Sequence, residues 1–311
     1  MHSNEFIELV RILINTYDPK LLEEHKESIN KLLSKFDKNI VDKLLFEEEN
    51  GIVVINSRTL KFLRENEFDM KDISFDNVKV SGNNYSGLKN TYINIDKVYD
   101  KDIRNTNLCG VRLTGSLDKA IISGANFNGY IGNLVLNPQK VRNKDLSITN
   151  LSGVTIDGIF DGCDIFSTNF EGALGGIYIN PQKVKNKDLC HVNLSGVKLV
   201  GDNGKIASFK GCKIKSTSFK NAIGPIEINP QELDGSYIMY CNFYGVKFIG
   251  GFDNKTLLGN NFEGSKNAMI DLNKVKDARI VTVQDLKDVN YIPLKEESEP
   301  KRRGLSLFRR R

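Results

Sequence analysis

One block of sequence recurs along this chain at intervals of about 43 residues. The copy that starts at Val135 reads VLNPQKVRNKDLSITNLSGVTIDG, and the copy that starts at Tyr178 reads YINPQKVKNKDLCHVNLSGVKLVG. A fixed period of roughly 20–50 residues is typical of solenoids, in which each repeat stacks on its neighbours. The repeat therefore predicts an elongated, stacked fold before any single motif is considered.

The units can be followed by one Asn or Asp position within the block. Its occupants are Asn56, Asn94, Asn137, Asn180, Asn229 and Asp271. The spacings between them are 38, 43, 43, 49 and 42 residues. We therefore expect five successive units with small insertions.

A finer period of five residues lies inside each unit. Leu189, Leu194 and Leu199 show it for large apolar residues, and a small residue often stands two positions earlier, as Val192 does before Leu194. A period of five matches neither an α-helix nor a β-strand. It indicates a chain that turns a corner every five residues and returns over itself after four corners, at the spacing of hydrogen-bonded strands. Large residues would then fill the axis of the stack.

The five-residue units resemble a known family. TNLCG, TNLSG, VNLSG, TNFEG and CNFYG look like pentapeptide-repeat units of the A(D/N)LxX type. That family forms a right-handed quadrilateral β-helix, so the resemblance implies a mainly β solenoid over residues 52–277. The inserts of the INPQKVKNKDL type depart from the family pattern. We expect each insert to form an elbow: a strand such as Tyr178–Asn180, a Pro-led turn over Pro181–Val184, and re-entry at Lys187-Asp188-Leu189.

The two ends of the chain differ from the repeats. Residues 1–51 have helical periodicity and predict a small α-helical N-terminal domain or cap, whose third helix runs from about Lys38 to Glu49 and stops at Gly51. Residues 278–294 are expected to cap the other end. Residues 295–311 are charged and contain proline, which is typical of disorder.

The basic character is concentrated in that tail. Seven of the 44 Lys and Arg residues and three of the 39 Asp and Glu residues lie from Lys295 onward, so the rest of the chain has a net charge of only +1. A cluster of this kind suits an anionic membrane surface or a nucleic acid, and it also suits a merely solubilising end. The candidate residues are Lys301, Arg302, Arg303, Leu305, Phe308, Arg309, Arg310 and Arg311.

No catalytic or metal-binding motif is found in the sequence. The five cysteines are Cys109, Cys163, Cys190, Cys212 and Cys241. Their odd number and the absence of CxxC pairs predict neither disulfides nor a zinc site, but small core residues in a reducing, cytoplasmic compartment. No HExxH, P-loop, GxSxG or EF-hand pattern occurs, and no secretory signal or membrane-spanning run is seen. We expect no cofactor, no metal and no small-molecule substrate.

The sequence thus predicts a non-enzymatic repeat scaffold that binds an unknown protein partner or another macromolecule. The Asn-, Lys- and Ile-rich usage suggests a bacterial source. One alternative follows from the resemblance, since some pentapeptide-repeat proteins mimic a DNA duplex and occupy DNA gyrase. Duplex mimicry requires a strongly acidic rod, whereas these repeats carry many lysines, such as Lys183 and Lys185. A second alternative is recruitment of the protein to a membrane or nucleic acid by its tail.

Overall fold

The computed structural model describes residues 11, 38–278 and 281–295, and this part of the chain is mainly β. The helices predicted before Lys38 lie outside the described residues. The α-helices are α1 (Lys38–Leu45), α2 (Ser57–Glu65) and α3 (Val283–Leu286). The strands are β1 (Phe46–Glu49), β2 (Ile52–Ile55), β3 (Val78–Lys79), β4 (Tyr92–Asn94), β5 (Arg112–Thr114), β6 (Val135–Leu136), β7 (Thr155–Ile156), β8 (Tyr178–Ile179), β9 (Lys198–Leu199), β10 (Ile226–Ile228), β11 (Tyr237–Met239), β12 (Val246–Phe248), β13 (Thr256–Leu258), β14 (Met269–Asp271) and β15 (Asn290–Ile292).

A β-hairpin replaces the end of the third predicted helix. Helix α1 ends at Leu45, and β1 pairs antiparallel with β2. The two residues between them, Asn50 and Gly51, have φ of 52° and 78°. Two successive positive φ angles form the tight turn that Asn-Gly favours. The prediction of helix as far as Glu49 was therefore wrong, because the turn lets residues 46–49 pair as a strand.

The first elbow position also departs from the expected pattern. Asn56 is the N-cap of α2, where its Oδ1 accepts hydrogen bonds from the backbone N–H groups of Arg58 and Thr59. Leu60, Phe62 and Leu63 of α2 are buried. An amphipathic helix therefore occupies the position at which the units of Asn137, Asn180 and Asn229 have a short proline-led turn.

From β2 onward the chain stacks on itself through parallel bridges. Bridged residues are 19 to 25 positions apart, and one such stretch is called a coil below. One column of bridges joins Asn107 to Asn126, Asn126 to Asn150, and Asn150 to Asn169. The Leu108 N–H donates to the Asn126 carbonyl oxygen at 3.0 Å, and the Phe127 N–H donates to the Asn150 carbonyl oxygen at the same distance. Each coil thus hydrogen-bonds to the coil after it.

Short polar side chains form the corners of this column. The Asn107 Oδ1 accepts from the Cys109 N–H at 3.2 Å, and the Asn150 Oδ1 accepts from the Ser152 N–H at 3.1 Å. This bond mimics a backbone turn and explains why Asn recurs there. The following Gly110 and Gly153 have φ of 79° and 82°, a conformation that most L-residues avoid.

The five-residue grid forms the buried core, as the sequence predicts. Its large residues are at most 4% exposed: Ile103, Leu108, Leu113, Ile122, Phe127, Leu146, Leu151, Ile156, Ile165, Phe170, Leu189, Leu194, Leu199, Phe209, Ile214, Phe219, Ile238, Phe243, Phe248 and Phe262. The Phe243 ring lies between those of Phe219 and Phe262, with centroids 5.8 and 5.1 Å away. Burial of such side chains stabilises the fold by about 1.5–3 kcal/mol each, so the axis dominates its stability.

Three of the elbows are built from the Asn-Pro-Gln sequence, at residues 137–139, 180–182 and 229–231. The Asn180 Oδ1 accepts from the Gln182 N–H at 3.0 Å, and Pro181 is buried behind the turn. Asn186 and Lys187 then have φ of 55° and 51°, which returns the chain to the next coil. Lys101 and Lys144 occupy the corresponding positions of two other units, and they also have positive φ.

Candidate functional site

Four of the five cysteines are packing residues rather than reactive groups in the described structure. Cys163, Cys212 and Cys241 are buried, as predicted, whereas Cys109 and Cys190 are only half-buried. Burial raises the thiol pKa of Cys163 and Cys190 to about 11, and that of Cys212 and Cys241 to about 12. A thiol reacts through its thiolate, so these four are inert at neutral pH.

The elbow glutamines fasten each elbow to the following coil. The Gln139 Nε2 donates to the carbonyl oxygens of Ile159 and Asp161, both at 2.9 Å, and lies 3.5 Å from the Cys163 Sγ. Gln182 makes the same contacts one unit later, with Ser208, Lys210 and Cys212. The side-chain amides of Gln139 and Gln182 are therefore already engaged in structural hydrogen bonds.

Lys255 takes the place of a cysteine in the last full unit. Its Nζ is buried and donates to the carbonyl oxygens of Leu233 and Gly235, at 3.2 and 2.7 Å. Burial lowers the pKa of Lys255. Because both contacts are to backbone carbonyls of the preceding coil, Lys255 ties two coils together.

The charges at the elbows neutralise one another between coils. A basic residue repeatedly pairs with an acidic residue 21 or 22 positions earlier in the sequence. The Nζ–Oδ2 distances are 3.1 Å for Lys97 and Asp76, 3.1 Å for Lys140 and Asp118, 3.6 Å for Lys183 and Asp161, and 3.0 Å for Lys185 and Asp164. Exposed pairs contribute little stability, but they cancel the local field. Many elbow lysines therefore do not create a basic surface.

An exposed apolar column is the most unusual surface feature among the described residues. Six residues, called the apolar stripe below, occupy the outer positions of three successive triplets of parallel bridges and are 43 to 54% exposed: Tyr92, Ile131, Val135, Leu174, Tyr178 and Ile223. Scattered apolar side chains on a surface are normal, whereas large contiguous exposed apolar patches are uncommon.

The stripe has a regular order of rungs. Arg112 is bridged to Tyr92 on one side and to Ile131 on the other. Thr155 lies in the same way between Val135 and Leu174, and Lys198 lies between Tyr178 and Ile223. Each triplet thus runs apolar, polar, apolar, and a bulge of three residues links one triplet to the next.

Two cations stand inside the stripe. Arg112 makes no ion pair with any residue that the structure describes. The Lys198 Nζ lies over the Tyr178 ring, 5.5 Å from its centroid, which is a cation–π contact. Arg112 and Ile131 together line two shallow depressions, one beside Tyr92 and one beside Thr114. The stripe therefore combines apolar side chains, two shallow depressions and two positive charges that have no acidic partner among the described residues.

The stripe ends where the column becomes charged. The next triplet is Glu227, Lys247 and Lys266, and the Lys247 Nζ lies 2.7 Å from the Glu227 Oε1. The six exposed apolar residues thus form a bounded patch rather than a property of the whole face. The five-residue grid does not indicate this patch, and its signal in the sequence is the apolar residues on either side of each bulge, as in YIGNLVL and ALGGIYI.

The other candidate residues are placed as follows. The tail residues Lys301, Arg302, Arg303, Leu305, Phe308, Arg309, Arg310 and Arg311 lie outside the described residues, as do His2 and His25. His191 projects outward, and its ring lies 5.5 Å from that of Phe166 in an edge-on contact. In the described ranges no cluster of three His, Cys, Asp or Glu side chains could hold a metal ion. No helix in those ranges has the length and apolar character needed to cross a membrane.

No family model matches this sequence, and no curated protein matches it. Among solved structures, the chain is similar to HetL, a pentapeptide repeat protein involved in heterocyst differentiation regulation from the cyanobacterium Nostoc sp. strain PCC 7120. The two are 15% identical, the match covers 64% of this chain and 86% of HetL, and the TM-score is 0.19. Nothing about function follows from a likeness at this level.

Proposed function

We propose that this protein is a non-enzymatic repeat scaffold that binds another macromolecule through the apolar stripe. The proposal includes a closed, right-handed quadrilateral β-helix of the pentapeptide-repeat class as the supporting rod. The observation that carries the functional part is the recurrence of half-exposed apolar residues at the outer positions of three successive triplets of bridges.

Rigidity and desolvation support this role. The backbone of each apolar rung is bridged to the coil that carries the central residue of its triplet, so the backbone of the stripe is held in place before a partner arrives. A preformed surface loses little conformational entropy on binding. Covering the stripe would also remove apolar area from water, which contributes about 25 cal/mol per Å².

Duplex mimicry gains no support from the described charges. A DNA mimic needs a dense negative field, whereas the elbow carboxylates of Asp118, Asp161 and Asp164 face lysines of the following coil. Recruitment by the basic tail stays a separate prediction. Full-length protein and a 1–294 truncation would differ in salt-sensitive binding to duplex DNA or anionic vesicles if it holds.

The stripe can be tested by site-specific photo-crosslinking in cells that express the protein natively. Tyr178 in the stripe is replaced by benzoylphenylalanine, and Tyr240, which is equally exposed but lies in another column, receives the same replacement as the matched control. We expect a discrete crosslinked species from position 178 and none from position 240. Equal crosslinking from both positions, or none from either, would refute the role of the stripe.

A further inference from the structure

The spacing of the stripe constrains the shape of what can lie along it. Apolar rungs recur every second coil, which corresponds to about 9.6 Å at the spacing of hydrogen-bonded strands. Side chains on one side of an extended strand recur every ~6.7 Å, so a strand laid along the stripe would lose register at once. An α-helix repeats one face every seven residues, or about 10.5 Å, which fits the rungs to within about 1 Å.

The length and the charge add two further constraints. Six coil steps separate Tyr92 from Ile223, so the stripe is about 29 Å long, which is the length of a helix of about 20 residues. Arg112 has no ion pair with a described residue, and Lys198 has only the Tyr178 ring. Burial of either cation against an apolar partner would be costly without a compensating negative charge.

A second copy of this chain fits the stripe less well. In an antiparallel pair related by a twofold axis at Thr155, the apolar rungs would meet, with Tyr92 facing Ile223. The same alignment would place Arg112 against Lys198, and like charges across an interface oppose binding.

We propose that the apolar stripe is a docking site for an acidic amphipathic helix of a partner protein. The inference rests on the proposed function and specifies its partner. The helix would have one apolar residue per heptad toward Ile131, Leu174 and Ile223, with Glu or Asp beside them opposite Arg112 and Lys198.

The test is a selection with the full-length protein against a phage-displayed library of helical peptides of roughly 20 residues, randomised along one face. We expect the enriched peptides to carry apolar residues at heptad spacing flanked by Asp or Glu. Binding of an enriched peptide is then measured by fluorescence anisotropy. Leu174→Asp should weaken binding by about tenfold or more, whereas Ile249→Asp, at an equally exposed position outside the stripe, should leave binding unchanged.

Charge reversal supplies the specific readout. Arg112→Glu should weaken binding of the acidic peptide and strengthen binding of a variant peptide with Lys in place of Glu. Both protein variants are first compared with the unmodified protein by thermal melting, because a folding defect would weaken all peptides alike. No enrichment, enrichment of basic peptides, or peptides unaffected by Leu174→Asp would overturn the proposal.

Analytical ultracentrifugation of the full-length protein tests whether the stripe instead binds a second copy of the chain. A dimer of the full-length protein that dissociates on Leu174→Asp would assign the stripe to a second copy and also overturn the proposal. Crosslinks from Tyr178 together with a failed selection would leave the proposed function standing and reject only the acidic helix.

Discussion

The Asn260 side-chain amide donates to the Asp285 Oδ1 at 2.7 Å, and both side chains are fully buried. This contact joins the coil that contains β13 to the short helix α3. The Asp285 carboxylate accepts further hydrogen bonds from the N–H groups of Gly259 and Asn260, and from the N–H and hydroxyl of Thr282. One carboxylate thus satisfies donors from both sides of the junction.

Replacement of Asp285 should therefore loosen the C-terminal end of the stack. Asp285→Ala leaves several buried donors without acceptors, and each costs about 1–3 kcal/mol, so we expect a loss of a few kcal/mol in the free energy of unfolding. Urea unfolding followed by circular dichroism measures this change. Glu263→Ala, at an exposed turn position, is the control and should change stability by less than about 0.5 kcal/mol. A similar small effect of both substitutions would contradict the role assigned to Asp285.

The elbow glutamines make a prediction in which charge matters more than size. Gln182→Glu would place a carboxylate against the carbonyl oxygens of Ser208 and Lys210, now held by the amide at 2.9 and 3.0 Å. We expect Gln182→Glu to destabilise the fold more than Gln182→Ala does, because both variants lose the donor but only the ionised carboxylate is also repelled by these oxygens.

The effect of Gln182→Glu should depend on pH. Facing carbonyl oxygens raises the pKa of the new carboxyl, so its cost is smallest where it is protonated and grows as pH rises. Unfolding midpoints at about pH 4.5 and pH 7 test this sign. Asn128→Glu adds the same charge at a turn position where Glu171 and Glu263 occur naturally, and it should show little pH dependence. Equal pH dependence in both variants would count against the elbow contact.

Much of this architecture could be predicted from the sequence, because the core repeats and the corners obey local rules. Leu189 and Phe219 are buried since the five-residue grid places them on the axis, and Pro181 opens a turn since its ring fixes φ. The Asn50-Gly51 turn also has a local signal, because this dipeptide is the strongest short indication of a hairpin. The helical periodicity that runs up to Leu45 nevertheless favours a helix beyond its true end.

The stripe could not be predicted in the same way. Whether Ile131 and Leu174 share a column depends on which residues of successive coils are bridged. The three-residue bulges shift that register, so spacing along the chain alone does not determine it.

Ile148 makes a prediction of stabilisation. It has φ of 60° and is 60% exposed. The left-handed region costs an ordinary residue about 1–2 kcal/mol, whereas Asn visits it readily. Ile148→Asn should therefore raise the free energy of unfolding by about 0.5–1 kcal/mol. Ile131→Asn removes an equally exposed isoleucine that lacks positive φ and should not stabilise, so a gain from both would point to exposure rather than backbone strain.

Gly259 distinguishes backbone strain from steric overlap. Its φ is 66°, and a Cβ there would lie 2.9 Å from the Tyr240 Cδ1. Gly196 has φ of 79° with open space around it. Gly196→Ala should cost only the conformational penalty of about 1 kcal/mol, and Gly259→Ala should cost more. Tyr240→Ala should recover that excess in a double-mutant cycle, and an unchanged cost in that background would rule out the overlap.

The buried thiols predict that stability falls in alkaline solution. The thiols of Cys212 and Cys241 have a pKa of about 12 in the folded protein, against 9.0 when exposed, because burial disfavours the thiolate. Between these values the unfolded chain loses its thiol protons first. The unfolded state then binds fewer protons than the folded state, so the free energy of unfolding decreases as pH rises.

Urea unfolding under reducing conditions from pH 8 to about pH 10.5 measures this slope, with the decline expected to begin near pH 9. Cys212→Ala should lower stability at pH 8, since it leaves a small cavity, and yet make the decline above pH 9 shallower. Burial also raises the pKa of Tyr85 well above its usual value, so part of the decline above about pH 10 should persist in that variant. An identical slope with and without Cys212 would show that its thiol is not protected from ionisation in the folded state.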